Sequence, residues 1–196
     1  VAASGFAPPV RFSAPRGFYG EPLEVVLSSV HPDAIIHFTT DGSAPSSENG
    51  TRYSGPISVG STTVIRAIAS GGDLIPGAVS SQTYLFAGDI VEQSKMHPEI
   101  TQSDVYRDEL FAALEALPVV SLSFENESVF GPQGIYQNPT QRGRSSEREI
   151  HFEYFVPGQH DESAEAPAGM RIHGANSRLH PKKPLRIFFR SDYGES

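Results

Sequence analysis

Short runs of alternating apolar and polar residues fill the first half of the chain, and glycine and proline interrupt them at regular intervals. The runs cover residues 23–28, 36–39, 62–69 and 79–86. Such spacing of short strands is typical of an antiparallel β-sandwich. Residues 1–9 lack the pattern, and we expect them to form a tail.

The spacing becomes helical between Gly88 and Pro118. Leu110, Leu114 and Leu117 recur at intervals that place them on one helix face. The pattern predicts a single helix that is capped by Thr101 or Ser103 and stopped by Pro118.

Longer strands are predicted after this connection. They cover residues 119–124, 149–156, 170–173 and 185–190. We expect Val120, Leu122 and Phe124 to share a buried face, a turn and a short strand at residues 131–139, and an acidic loop at residues 158–168. The predicted organisation is a tail (1–9), a sandwich (10–87), a connection with one helix (88–117) and a second, sheet-rich domain (118–196), so the fold class is mainly β.

Composition limits the classes of function. The chain has 196 residues, no cysteine, and 15 Lys+Arg against 23 Asp+Glu, which gives a formal net charge of −8. The sequence pI of about 5.3 argues against broad nucleic-acid binding. Without cysteine there is neither a disulfide framework nor a thiolate metal site, and we predict no metal site in this chain. No apolar run is long enough to span a bilayer.

Cations gather in one stretch against this acidic background. Six of the 15 Lys+Arg lie between Arg171 and Arg190, beside Gly174 and Asn176. Such a cluster indicates an anion site, because glycine and asparagine let backbone N–H groups approach a phosphate. A solvated edge strand guarded by lysines is the alternative. The candidate phosphate-binding residues are Arg171, Asn176, Arg178, Lys182 and Lys183.

The first half carries residues that resemble a known family. These are the segment Ile36 to Pro45, with its Thr-Thr-Asp-Gly-Ser-Ala-Pro turn, then Tyr53-Ser-Gly-Pro-Ile and Thr63-Val-Ile-Arg-Ala. They resemble the chitobiase/β-hexosaminidase C-terminal-type domain over about residues 10–87. The resemblance implies an immunoglobulin-like sandwich, also described as fibronectin-type-III-associated, which serves as a spacer or a glycan-contact module. Independently of it, we expect Asp41 to bond the backbone of its own turn rather than to act as a metal ligand or catalytic acid.

The second half resembles the N-terminal part of the CotH kinase family, which comprises proteins of the spore coat type. The resemblance is carried by Gly169-x-Arg-x-x-Gly-x-x-Ser-Arg178, Lys182-Lys-x-Leu-Arg-Ile187 and Tyr193-Gly. Supporting segments are Leu117-Pro-Val-Val-Ser-Leu, Gly134-Ile-Tyr-Gln-Asn, Glu147-Arg-Glu-Ile and Glu153-Tyr-Phe. The resemblance implies an atypical α+β kinase-like fold, of which this chain would hold part.

Together the two resemblances imply a fragment of a secreted or surface multidomain CotH-type protein kinase, bacterial in origin. Its cofactors would be ATP and magnesium, and its partner a protein substrate or a coat protein. The family's metal-binding carboxylates lie beyond the matched segment, so the catalytic residues are unknown and we expect the 196-residue chain alone to lack phosphoryl transfer. The alternative is a non-catalytic module that binds a glycan or protein through Phe18, Tyr19 or Tyr53.

Overall fold

The first half of the chain folds into a sandwich of short strands. The computed structural model describes residues 5–71, 73–93 and 96–194. The strands are β1 (Gly5–Phe6), β2 (Arg11–Phe12), β3 (Gly17–Phe18), β4 (Leu23–Val25), β5 (Leu27–Ser28), β6 (Ile35–Thr39), β7 (Thr51–Arg52), β8 (Ile57–Val59), β9 (Thr63–Ser70), β10 (Leu74–Ile75) and β11 (Ser80–Leu85). One sheet has the order β3-β11-β9-β6-β7, and the pairs β2-β5 and β4-β8 complete the layers. The mainly β prediction is confirmed, and the arrangement is consistent with an immunoglobulin-like domain.

The sandwich core lies between these layers. Val25 and Val59 from the β4-β8 pair pack in one cluster with Ile65 and Ala67 of β9 and with Tyr84 of β11. These residues occupy alternate positions on their strands, so the period-two pattern of the sequence places them all inward.

The expected tail is partly folded. Strand β1 pairs in parallel with β10, and the Ala7 backbone N–H donates to Ile75 O at 2.8 Å. Ala7 is buried in the sandwich core. A Cβ at Gly77 would lie 2.2 Å from Ala7 O, so the close backbone approach requires glycine there. Residues 1–4 lie outside the described residues.

Among its described residues, the connection contains three helices instead of the single one expected. They are α1 (Ala87–Val91), α2 (Pro98–Thr101) and α3 (Arg107–Ala116). The predicted caps are wrong, because Thr101 ends α2 and Tyr106 precedes α3 without a side-chain cap. Pro118 does limit α3, since Leu117 before it is extended (φ −89°, ψ 143°).

The second half forms one antiparallel sheet in the order β12-β13-β14-β15, with short helices around it. The elements are β12 (Val119–Ser123), α4 (Asn126–Phe130), β13 (Arg148–Val156), β14 (Gln159–Ile172) and β15 (Leu185–Phe188), with 3₁₀ turns at Arg144–Ser146, Asn176–Leu179 and Ser191–Tyr193. Turns occupy residues 131–139, where a short strand was expected.

The acidic loop predicted at residues 158–168 is instead most of β14, a strand of 14 residues. The acidic residues and Pro167 made the segment look like a loop in the sequence. In the strand, Ala164, Ala166 and Ala168 occupy one face. Pro167 is tolerated because β15 pairs only with residues 169–172, so no ladder bond is needed from residue 167 on that side.

The apolar face of this sheet covers a second core. Val129 and Ile135 pack there against Ile150 of β13 and Met170 of β14. Leu122 and Phe124 pack at its edge, as predicted, and so does Ile187 of β15. Val120 is 56% exposed, contrary to expectation, because the core covers only part of the face; Leu185 and Phe189 are also partly exposed.

The polar face of the same sheet packs against the sandwich. The Thr83 hydroxyl of β11 lies 2.8 Å from the Ser121 hydroxyl of β12 and 3.0 Å from Glu153 Oε1 of β13. Arg16 Nη1 lies 3.4 Å from Glu153 Oε2, and the same guanidinium pairs with Glu165 of β14. Two separate apolar cores are therefore joined by a buried polar interface.

Two titratable side chains are enclosed in this interface. Glu153 is fully buried and His151 is 4% exposed. Burial raises the pKa of Glu153, and Arg16 opposes that shift. Burial, together with Arg66 and Arg16, lowers the pKa of His151 to about 4, so this imidazole is neutral in the folded protein at neutral pH.

His151 is expected to make stability fall in mild acid. Its pKa is lower in the folded than in the unfolded chain, so the unfolded chain binds the extra proton first as pH falls from about 6.5 to about 4. A pKa difference of this size corresponds to about 3 kcal/mol. The free energy of unfolding of His151→Asn, measured against urea across this window, should fall less steeply than that of the unsubstituted protein. His180→Asn, at an exposed site, is the control; equal slopes in all three proteins would contradict the assignment.

The domain boundaries stay a prediction that limited proteolysis can test. Most of residues 97–106 are exposed. We expect early cleavage in this segment, and because the polar contacts of Arg16, Thr83 and Glu153 do not involve it, the two fragments should still co-elute in size exclusion at neutral pH. Fragments that separate without denaturant would show that the interface does not hold the halves together.

Candidate anion-binding site

The predicted phosphate residues lie where β14 turns back into β15. The His173 N–H donates to Pro184 O at 2.9 Å and closes the loop of residues 174–183. Gly174 has φ +106°, and a Cβ there would lie 2.2 Å from Ser177 Oγ. Glycine is therefore required at the start of this loop.

Arg178 has a different role from the one predicted for it. Its side chain is 6% exposed, and its guanidinium donates to Gly174 O (2.6 Å), Pro139 O (3.0 Å) and Gln141 O (3.0 Å). These bonds join the loop to the turn before β13. Arg178 thus braces the loop and has few donors left for a ligand.

The remaining loop candidates differ in whether their polar groups are available to a ligand. Lys183 Nζ donates to Arg178 O at 2.9 Å and to His180 O at 3.1 Å, and it lies 5.7 Å from the centre of the Tyr136 ring. Asn176 and Lys182 are exposed. Lys183 therefore also stabilises the end of the 3₁₀ turn, whereas Lys182 is open to a ligand.

Arg171 lies on the sheet face rather than in the loop. Its guanidinium is 4.5 Å from the centre of the Phe188 ring and 4.0 Å from Glu147 Oε2. Glu147 also accepts from Arg190 Nε at 3.1 Å and from the Tyr193 hydroxyl at 2.7 Å, and its side chain is only 1% exposed. One buried carboxylate thus joins the start of β13 to β14 and to the segment after β15.

The partners of Glu147 decide its ionisation. Burial alone would raise the pKa of Glu147, but the hydrogen bonds from Tyr193 and Arg190 and the charges of Arg190 and Arg171 outweigh it and lower the pKa. Sequence reasoning quoted Glu147 within a motif without assigning it a role. The sequence signal for such a role was an acidic residue at the start of one strand in a chain whose later strands carry arginines.

Cations surround His173 at this end of the sheet. Burial, then Arg186, Arg178 and Arg171, lower the pKa of His173. Burial, then the charges of Arg142 and Arg171, lower the pKa of Arg178. Within the described ranges, Arg142, Arg186 and Lys182 form no ion pair. The sequence analysis counted Arg186 in the cationic stretch but named neither Arg186 nor Arg142 as a phosphate-binding candidate.

Other candidate residues are structural. Asp41 Oδ1 accepts from Ser43 N at 3.0 Å and from the Ser43 hydroxyl at 2.6 Å, which is the turn role predicted for it. Tyr19 and Tyr53 pack against the sandwich core. Among the described residues no group of three or more His, Asp or Glu side chains could hold a metal ion.

Comparisons with known proteins match one segment within the first half of the chain. Residues 14–81 match the family model of the chitobiase/beta-hexosaminidase C-terminal domain. No curated protein and no solved structure matches the chain. In the part of the chain that the structure describes, none of the helices has both the length and the apolar character needed to cross a membrane.

Replacing Arg178 is expected to loosen the loop. Arg178→Met keeps much of the side-chain volume but leaves three carbonyl oxygens without their donor, so the melting temperature should fall by several degrees. Amide hydrogen exchange should rise around residues 139–141 and 174–183. Arg142→Met, at an exposed site, is the matched control; an equal effect of both variants would show that the guanidinium does not brace the loop.

Proposed function

We propose that the chain is part of a secreted or surface multidomain CotH-type atypical protein kinase. In this proposal the second sheet and its loop contact the phosphates of a nucleotide, and the sandwich is an accessory module. The observation that carries it is that Arg171 of β14 and Arg186 of β15 are opposite each other in the sheet register, in a protein with a net charge of −8. Cations concentrated against the overall charge favour a site for an anionic ligand.

The arrangement of the matched segments supports the proposal. The segments that resemble the CotH family include parts of β12, β13, β14 and β15, which are neighbours in one sheet, together with the loop and turns beside it. The Glu147 carboxylate contacts Arg171 and Tyr193, and these three residues come from three different segments that resemble the family. Residues that are far apart in sequence thus serve one local structure.

The residues fit the phosphates of ATP better than they fit magnesium. Guanidinium and ammonium groups with free donors suit phosphate oxygens. Magnesium prefers carboxylate oxygens, and the described residues offer no cluster of them. The proposal for this chain is therefore phosphate binding, and phosphoryl transfer belongs to the proposed parent protein.

A second candidate function is a non-catalytic structural or binding module of a bacterial extracellular protein. It is favoured by the fact that Arg178 and Lys183 are engaged with backbone carbonyls. In that case the basic residues serve the fold, and the partner is a glycan or a protein.

Calorimetric titration of the full chain with ATP, adenosine and inorganic triphosphate separates the two candidates. We expect ATP and triphosphate to bind more weakly as salt increases, and adenosine not to bind, because the contacts are to phosphate. Lys182→Ala should weaken ATP binding about threefold, as loss of one exposed charge is worth less than 1 kcal/mol.

Arg52→Ala is the control for Lys182→Ala, because Arg52 is an exposed cation on the sandwich. If ATP and triphosphate fail to bind at low salt, the proposal is wrong and the structural module is favoured.

A further inference from the structure

Two arginines face each other across neighbouring strands at the candidate site. Arg171 of β14 and Arg186 of β15 are direct cross-strand partners in the antiparallel register. Directly opposite residues have Cβ atoms about 5 Å apart on the same sheet face, and like charges there are destabilising. The pair therefore costs stability unless something lies between the two charges.

The described residues offer little negative charge to offset the repulsion between these two arginines. Arg186 is exposed and forms no ion pair with them. Arg171 has only Glu147, at 4.0 Å, and that carboxylate forms closer contacts with Arg190 at 3.1 Å and with Tyr193 at 2.7 Å. One shared carboxylate cannot neutralise three guanidinium groups.

The local packing fixes the orientation of one of the two guanidinium groups, that of Arg171, before any ligand binds. Phe188 lies two residues from Arg186, hence on the same face of β15, and its ring is flanked by Arg171 at 4.5 Å and Arg190 at 4.6 Å. Stacking on an aromatic ring restricts the plane of a guanidinium and reduces the entropy lost when it binds a ligand.

We propose that a phosphate-type dianion binds between Arg171 and Arg186 on this sheet face, next to His173. The inference rests on the proposed function in that the dianion is there the phosphate end of a nucleotide. It moves the principal phosphate contact from the loop to the sheet, because Arg178 and Lys183 use their donors on backbone carbonyls. Arg186, which the sequence placed in the cationic stretch but not among the phosphate-binding candidates, thereby becomes a binding residue.

Two guanidinium groups fit a dianionic phosphate monoester. Each guanidinium can donate two parallel hydrogen bonds to a pair of phosphate oxygens, and the two positive charges match two negative ones. A free phosphate, a nucleotide and a phosphorylated side chain share this chemistry.

The test uses the full chain with inorganic phosphate, ATP and adenosine, and with Arg186→Gln. Phosphate and ATP should each bind the unsubstituted chain, and Arg186→Gln should weaken both about tenfold, the effect of one charge-assisted contact. Arg11→Gln, an exposed cation on the sandwich, should change neither affinity.

Two further measurements separate binding from a structural role. Without ligand, Arg186→Gln should raise the melting temperature slightly, because it removes the repulsion across the strands. Phosphate should raise the pKa of His173, followed by nuclear magnetic resonance, since a nearby anion favours the imidazolium. A melting temperature that falls, together with an unmoved His173, would identify Arg186 as a structural residue and overturn the inference.

The results also distinguish this inference from the proposed function. If ATP binds the unsubstituted chain and Arg186→Gln equally, the nucleotide proposal stands and the arginine pair is not the site. If phosphate binds with dependence on Arg186 but ATP does not bind, the dianion site stands and the nucleotide proposal fails.

Discussion

The buried carboxylate of Glu153 determines how the two halves of the molecule fit together. It accepts from Thr83 across the boundary and is paired with Arg16, which reaches it from the segment before β3. A fully buried carboxylate left without these partners would be costly, so each half needs the other to satisfy this group. The relative position of the sandwich and the second sheet is thus fixed by polar contacts rather than by a shared apolar core.

Such an interface favours definite geometry over maximal stability. A buried ion pair gains little free energy once desolvation is counted, and well-packed apolar residues would often do as well. His151 Nε2 and Ser123 Oγ lie in the same interface without hydrogen-bond partners among the described residues. The polar groups select one relative orientation of the sandwich and the second sheet, because Thr83, Ser121 and Glu153 meet only when the sheets are in register.

Local patterns revealed much of the fold. Alternation located the strands of the sandwich, and the Asp41 turn followed from its own residue types. The interface was not predictable, because Thr83 and Glu153 are polar residues on strands and have the pattern of a solvent-facing side. Strand β14 was missed because Pro167 and its acidic neighbours are typical of loops, and only the short reach of β15 explains why they are tolerated. At the site, the sequence identified the cationic stretch, but which donors are free depends on carbonyls of residues 139–141, far away in the chain.

The unequal lengths of β14 and β15 have a consequence for self-association. Before residue 169, no described strand covers the second side of β14, so an edge that could add a foreign strand is left open. Pro167 interrupts the donors along that edge, and the exposed Glu162 gives an approaching copy of the chain a like charge to overcome. The acidic, proline-containing composition that concealed this strand in the sequence is also a protection against edge-to-edge aggregation.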